Sequence, residues 1–172
     1  HIRNLFAPSL MKIVSSSTAS SLIWSDLDET LRRGLKTADP LSLNVLFTVN
    51  KIYQQHQALL DKHHESVGFI QFGTAFPVYT SEKIINDMAI KSRVSPVDFI
   101  NANVGAPVSI CCTRFRFQGP TLVLTMPQRT GKEIAMSLAR EWLTQQATHL
   151  FLIQADHARE NEIEITTQLV SQ

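Results

Sequence analysis

The sequence predicts a layered α/β domain with a mostly parallel sheet flanked by helices. Short apolar runs of strand type, such as Val67–Phe72 and His149–Ala155, alternate with segments of helical periodicity. The length, 172 residues with 44% hydrophobic, suits one core and falls short of two. No internal repeat or low-complexity linker divides the chain. Residues 1–172 therefore read as a single domain, with a loosely structured start over 1–24.

The serine-rich stretch 14–25 is expected to be loop-like around a short strand near Leu22–Trp24. Ser25 is expected to cap a helix over Asp26–Arg33, with acids at its positive end and Gly34 stopping it. Leu41–His63 is the next helix, since Leu43, Leu46, Phe47, Val49, Ile52 and Tyr53 recur at helical spacing. Val67–Phe72 is a buried strand. Ser81–Lys91 is a helix capped by Ser81, and Ser95–Val104 a short helix or turn with Pro96 near its start. Ala106–Phe115 is an apolar helix. Gly119-Pro120 turns the chain into the β-branched strand Thr121–Thr125. Gly131–Gln146 is an amphipathic helix, His149–Ala155 a buried strand, and Ile163–Val170 one strand more.

Sixteen Lys+Arg against fifteen Asp+Glu leave a formal charge of +1, which gives no footprint for nucleic acid or an anionic membrane. No apolar stretch reaches the roughly 18–20 residues that span a bilayer. His1 to Leu10 has no signal-peptide-like region, and Met11 is a candidate native start. Neighbouring Cys111 and Cys112 cannot pair without strain. They read as reduced, buried and small, which places the chain in the cytoplasm.

Asp26-Leu27-Asp28-Glu29-Thr30 matches a phosphatase-like DxDxT pattern, but the i, i+4 continuation through Leu27, Leu31 and Leu35 fits a helix start better. His63-His64 has no further ligand at zinc spacing beyond Glu65 and reads as a polar helix end. His157, after Asp156 at the end of an apolar strand, reads as a polar loop residue without a partner. Gly131-Lys132 lacks the glycine and the hydroxyl of a phosphate loop. Neither a metal nor a cofactor is called for.

The passage from strand Thr121–Thr125 into the helix near Gly131 is more informative. A strand–turn–helix corner aims backbone N–H groups and the helix dipole at the turn, where enzymes seat Cys or Ser nucleophiles. This chain places Gln128 there, between Pro127 and Arg129. An amide cannot act as a nucleophile, so the corner reads as a degenerate active site.

Gly119–Gly131, reading GPTLVLTMPQRTG, resembles the run in which β-ketoacyl synthases of the thiolase fold carry their acyl-accepting Cys, and Gln128 falls on that Cys. Four more segments are similar in the same order: Leu31–Ile52, Val67–Val78, Ser95–Pro120 and Thr148–Glu160. The resemblance covers about residues 27–160 and implies the amino-terminal half of a thiolase-like fold. It departs where Ala75, Phe76 and Pro77 replace family glycines. None of His56, His63, His64, His149 or His157 matches the catalytic histidines of the family's second half.

The resemblance implies a chain-length-factor-type subunit of polyketide or fatty acid synthesis, inactive on its own, that pairs with an active ketosynthase. It further implies an acyl carrier protein as second partner, and an exposed edge strand on such a half-domain argues for an obligate partner or for a homodimer when isolated. Phe76, Thr125, Met126, Gln128 and Arg129 are the expected tunnel or interface residues. Gln-type decarboxylation of malonyl carrier protein and simple carrier binding are the alternatives.

Overall fold

Asp39 and Pro40 start the longest helix because both suit a first turn. In the computed structural model, which describes residues 10–22, 24–159 and 162–172, Asp39 Oδ1 accepts from Leu41 N at 2.9 Å and Pro40 stands at the helix start. Helix α1 spans Glu29–Arg32 and this helix, α2, spans Pro40–Lys62. A kink at His56 (φ −127°, ψ 24°) bends α2, and Tyr53 Oη donates to Asp61 across it at 2.7 Å. The remaining helices are α3 (Val78–Lys91), α4 (Pro96–Asn101), α5 (Ala106–Phe115) and α6 (Gln128–Gln145).

Five strands form one sheet: β1 (Lys12–Ser20), β2 (Val67–Gly73), β3 (Thr121–Thr125), β4 (His149–Arg159) and β5 (Glu162–Ser171), in the order β1-β5-β4-β2-β3. The layered α/β class expected from the sequence is found. The sheet is mixed: β2 pairs parallel with β3 and β4, whereas β5 pairs antiparallel with both β4 and β1. Period-two alternation splits the strands between two cores. Val67, Phe69, Phe151, Ile153, Ile165 and Leu169 pack with α2 and α5. Ile70, Phe72, Leu150, Leu152 and Val170 pack with α6.

Helix α6 meets the sheet through Gly131, Ala135 and Ala139, one small residue per turn, so it lies close. A Cβ at Gly131 would sit 3.2 Å from Met126 Cγ and 3.3 Å from Phe72 Cβ. Gly68 is more constrained, since a Cβ there would fall 2.3 Å from the Pro120 carbonyl oxygen.

Several expectations are corrected. The loop expected over 14–25 is strand β1 as far as Ser20. Its residues alternate between exposed and half-buried, and it is zipped to β5 from Lys12↔Ser171 to Ser20↔Glu164. Serine's weak strand preference yields to that pairing. The short strand near Leu22–Trp24 does not form at Leu22 or Trp24, and Ile23 lies outside the described residues. The helix expected over Asp26–Arg33 is a 3-10 turn over Trp24–Asp26, followed by α1. Asp28 rather than Ser25 caps α1, accepting from Leu31 N at 2.7 Å. Ser81 does not cap α3. It lies inside that helix and donates to Pro77 O at 2.7 Å. β4 runs four residues past the apolar run because β5 pairs with it as far as Arg159↔Glu162.

Candidate functional site

β3 is the outer strand of the sheet, and its last residue pairs in register with Gly73 of β2. Phe69 N donates to Pro120 O, and Met126 N donates to Gly73 O at 3.0 Å. Parallel ladders alternate their donors, so Val123 and Thr125 turn their N–H groups away from β2 toward the open edge. Among the described residues no strand pairs with that edge.

The chain then turns through Met126 and Pro127, and Gln128 is the first residue of α6. Gln128 and Arg129 are exposed, Thr125 is exposed and Met126 half-buried. The corner thus presents an uncharged amide at the positive end of an 18-residue helix. Arg129 Nε lies 3.9 Å from Glu133 Oε1, a fully solvated i, i+4 pair of little energetic weight.

Phe76 stands apart from these four residues. The loop after β2 leans onto β4, on the side of β2 away from β3, and Ala75 N donates to Ala155 O at 3.0 Å. Asp156 Oδ1 accepts from Thr74 N at 3.0 Å and from Thr74 Oγ1 at 3.2 Å. His157, read from the sequence as partnerless, accepts at Nε2 from Phe76 N at 3.3 Å. Its ring stands edge-on to Phe76 at 5.6 Å between centroids. A backbone N–H can only donate, so Nε2 is the acceptor in this contact. Phe76 remains 40% exposed and borders a cavity of about 780 Å³, with Tyr79, His157 and Arg159 among its walls. The expected residues therefore form two places at one end of the sheet: the Thr125–Arg129 corner and Phe76.

Two features escape sequence reading. Asp39 is buried and clasps α3, with Oδ2 accepting from Thr80 N at 2.9 Å and Thr80 Oγ1 at 2.8 Å. The Asp-Pro pair signals a helix cap, but nothing in the sequence links it to Thr80. The second feature is the lobe of α3 and α4, which is turned inside out. Its only fully buried residues are polar: Thr80, and Asp98, which pairs with Lys83. Meanwhile Ile90 is 80% and Phe99 72% exposed, with Tyr79, Ile85 and Ile100 close behind. The apolar residues at helical spacing were legible; that they face outward was not.

Elsewhere burial raises the Cys111 thiol well above its ordinary range, which rules out a resting thiolate. Among the described residues no cluster of three His, Cys, Asp or Glu could hold a metal ion, and no helix is long and apolar enough to cross a membrane.

The fold is of the ketosynthase type, a thiolase-like arrangement, as the sequence resemblance implied. The chain is similar to a structure of a ketosynthase (ApeO) in complex with its chain length factor (ApeC) from Xenorhabdus doucetiae. That match has 11% identity and a TM-score of 0.64, covering 94% of this chain and 79% of that one. It is similar to the ishigamide ketosynthase/chain length factor at 14% identity and TM-score 0.62, over 81% of this chain and 45% of that one. It is also similar to a type II polyketide acyl-carrier protein in complex with its ketosynthase, AntDE:AntF. There the identity is 11% and the TM-score 0.70, covering 86% of this chain and 49% of that one. The chain thus spans about half the length of the latter two. No family model and no curated protein matches the sequence.

Proposed function

We propose that this chain is a ketosynthase-like subunit of chain-length-factor type, which pairs with an active ketosynthase and has no condensing activity of its own. The observation that carries the reading is β3: an open edge strand that runs straight into a corner bearing Gln128, the residue that the sequence resemblance aligns with the family's nucleophile. An unpaired edge invites another strand. The outward-facing apolar residues of the α3–α4 lobe, Ile85, Ile90, Phe99 and Ile100 among them, support the same reading, since exposed apolar surface marks places where proteins associate. The neighbouring structures contain a ketosynthase with a chain length factor or a carrier protein, so an acyl carrier protein is the second expected partner.

In this reading Phe76 narrows the space available to a growing acyl chain. Phe76→Ala in the co-purified complex should lengthen products, and an unchanged length distribution would remove that role. Condensation should survive Gln128→Ala. If the complex releases carbon dioxide from malonyl carrier protein and Gln128→Ala abolishes this, the chain is a priming decarboxylase instead. Co-expression with the ketosynthase should yield a one-to-one complex; failure to co-purify would count against the whole assignment.

A further inference from the structure

Two helices end side by side. α1 closes at Arg33 and α5 closes at Arg116. Between these ends lies an open depression of about 560 Å³ lined by Arg33, Arg114 and Arg116, with the hydroxyl residues Ser109 and Thr113 beside them. No acidic residue lines it. The ion pairs among the described residues are Lys83–Asp98, Lys91–Asp87 and Arg129–Glu133, and none of them involves these arginines.

Arg114 is fixed in place. It donates to the carbonyl oxygens of Thr30 at 3.3 Å, Leu31 at 3.2 Å and Arg33 at 2.7 Å. These groups at the end of α1 lack intrahelical partners, and Arg114 satisfies them. Its Nε–H is not among these donors, so part of the fork remains for another acceptor.

Arg116 is the informative residue. It caps α5 in the left-handed region at φ 60°, and its N–H bonds to Cys112 O. Glycine would make the same backbone bond without the strain that a Cβ brings there. The dipole at the end of α5 favours a cation, but exposure weakens that effect. The fold is therefore better served by glycine, while the exposed arginine side chain completes the cationic rim.

We infer that this depression docks a carboxylate-rich face of a partner protein. Guanidinium forks pair with carboxylates through two parallel hydrogen bonds, and Arg33 and Arg116 offer such forks from two helix ends, with the Arg114 Nε–H as a single further donor between them. The rim is open and its Arg33 and Arg116 side chains are exposed, which suits a surface better than an enclosed small anion. A sequence pI of about 8.0 and net charge of +1 lack the basic excess of a nucleic-acid domain. The site lies before the start of β3, whereas the Gln128 corner follows its end, and Ser109 borders both this depression and the one along β3 at Thr121–Val123. It does not depend on the identity of the pairing partner.

The test titrates the isotope-labelled full chain, alone or in its complex, with a glutamate-rich helical peptide of about 20 residues. A lysine-rich peptide and an oligonucleotide of matched charge serve as comparisons. The glutamate peptide should shift the amides of Arg33, Thr113 and Arg116, and binding should weaken as salt rises. Arg116→Gly should weaken it about fivefold or more while the melting temperature holds or rises. Arg140→Ala, at an exposed position of α6, should change neither. Shifts scattered over Lys12, Lys132 and Arg140 would overturn the proposal. So would tighter binding of the oligonucleotide, or an Arg116→Gly protein that binds as before. A drop in melting temperature for Arg116→Gly would assign the arginine to the fold alone.

Discussion

Replacing Asp39 with alanine should do two separable things. Asp39 Oδ1 caps α2 through Leu41 N, and Oδ2 takes both Thr80 donors. Loss of a helix cap costs about 1 kcal/mol. The Thr80 N–H and hydroxyl are buried and would lose a charged acceptor, at about 1–3 kcal/mol for each group left unsatisfied. Together the loss is about 3 kcal/mol, short of the sum because the lobe can move and let water in. Since Thr80 is the only fully buried residue of α3, most of the second part should appear as local release of α3 and α4. Urea denaturation gives the first quantity and hydrogen exchange along α3 the second. Asp39→Asn should keep most of the α2 cap and lose part of the clasp. The reasoning fails if Asp39→Ala costs less than about 1 kcal/mol, or if α3 exchanges no faster than in the parent.

Gly68→Ala should be severe, since its Cβ would sit 2.3 Å from the Pro120 carbonyl oxygen. A loss of at least 3 kcal/mol, or an insoluble protein, is expected from overpacking against backbone; a near-native melting curve would contradict the β2–β3 packing. His149 should make the fold acid-sensitive. Burial first, then the charges of His63 and His56, lower its pKa below the ordinary 6.5. The unfolded chain then binds more protons than the folded one as pH drops through 6.5, so stability is present above that pH and lost below it. His149→Gln should shrink the difference in urea midpoint between pH 7 and pH 5, and an unchanged difference would point to other groups.

Much of the architecture could be read from local pattern. β3 and α5 fall where the apolar runs placed them, and β2 differs by one residue, its burial on both faces leaving an uninterrupted apolar signal. β1 could not be read this way. Its Ser15-Ser16-Ser17 run looks like a turn, and only the distant β5 makes it a strand. The parallel character of the sheet was overstated for a related reason. The direction of β5 depends on its close return beside β4, which composition does not encode. The corner at Gln128 was legible because strand, turn and helix follow each other along the chain. The contact between Phe76 and His157 joins residues 81 positions apart and left no trace in either segment.

The central claim is that the open edge of β3 receives a strand from a ketosynthase. Amide hydrogen exchange at Val123 and Thr125, with and without the co-purified partner, tests it directly. These N–H groups should exchange fast in the isolated chain and become strongly protected in the complex, while Leu122 and Leu124, bonded to β2, change little. A complex in which Val123 and Thr125 stay unprotected would contradict the claim.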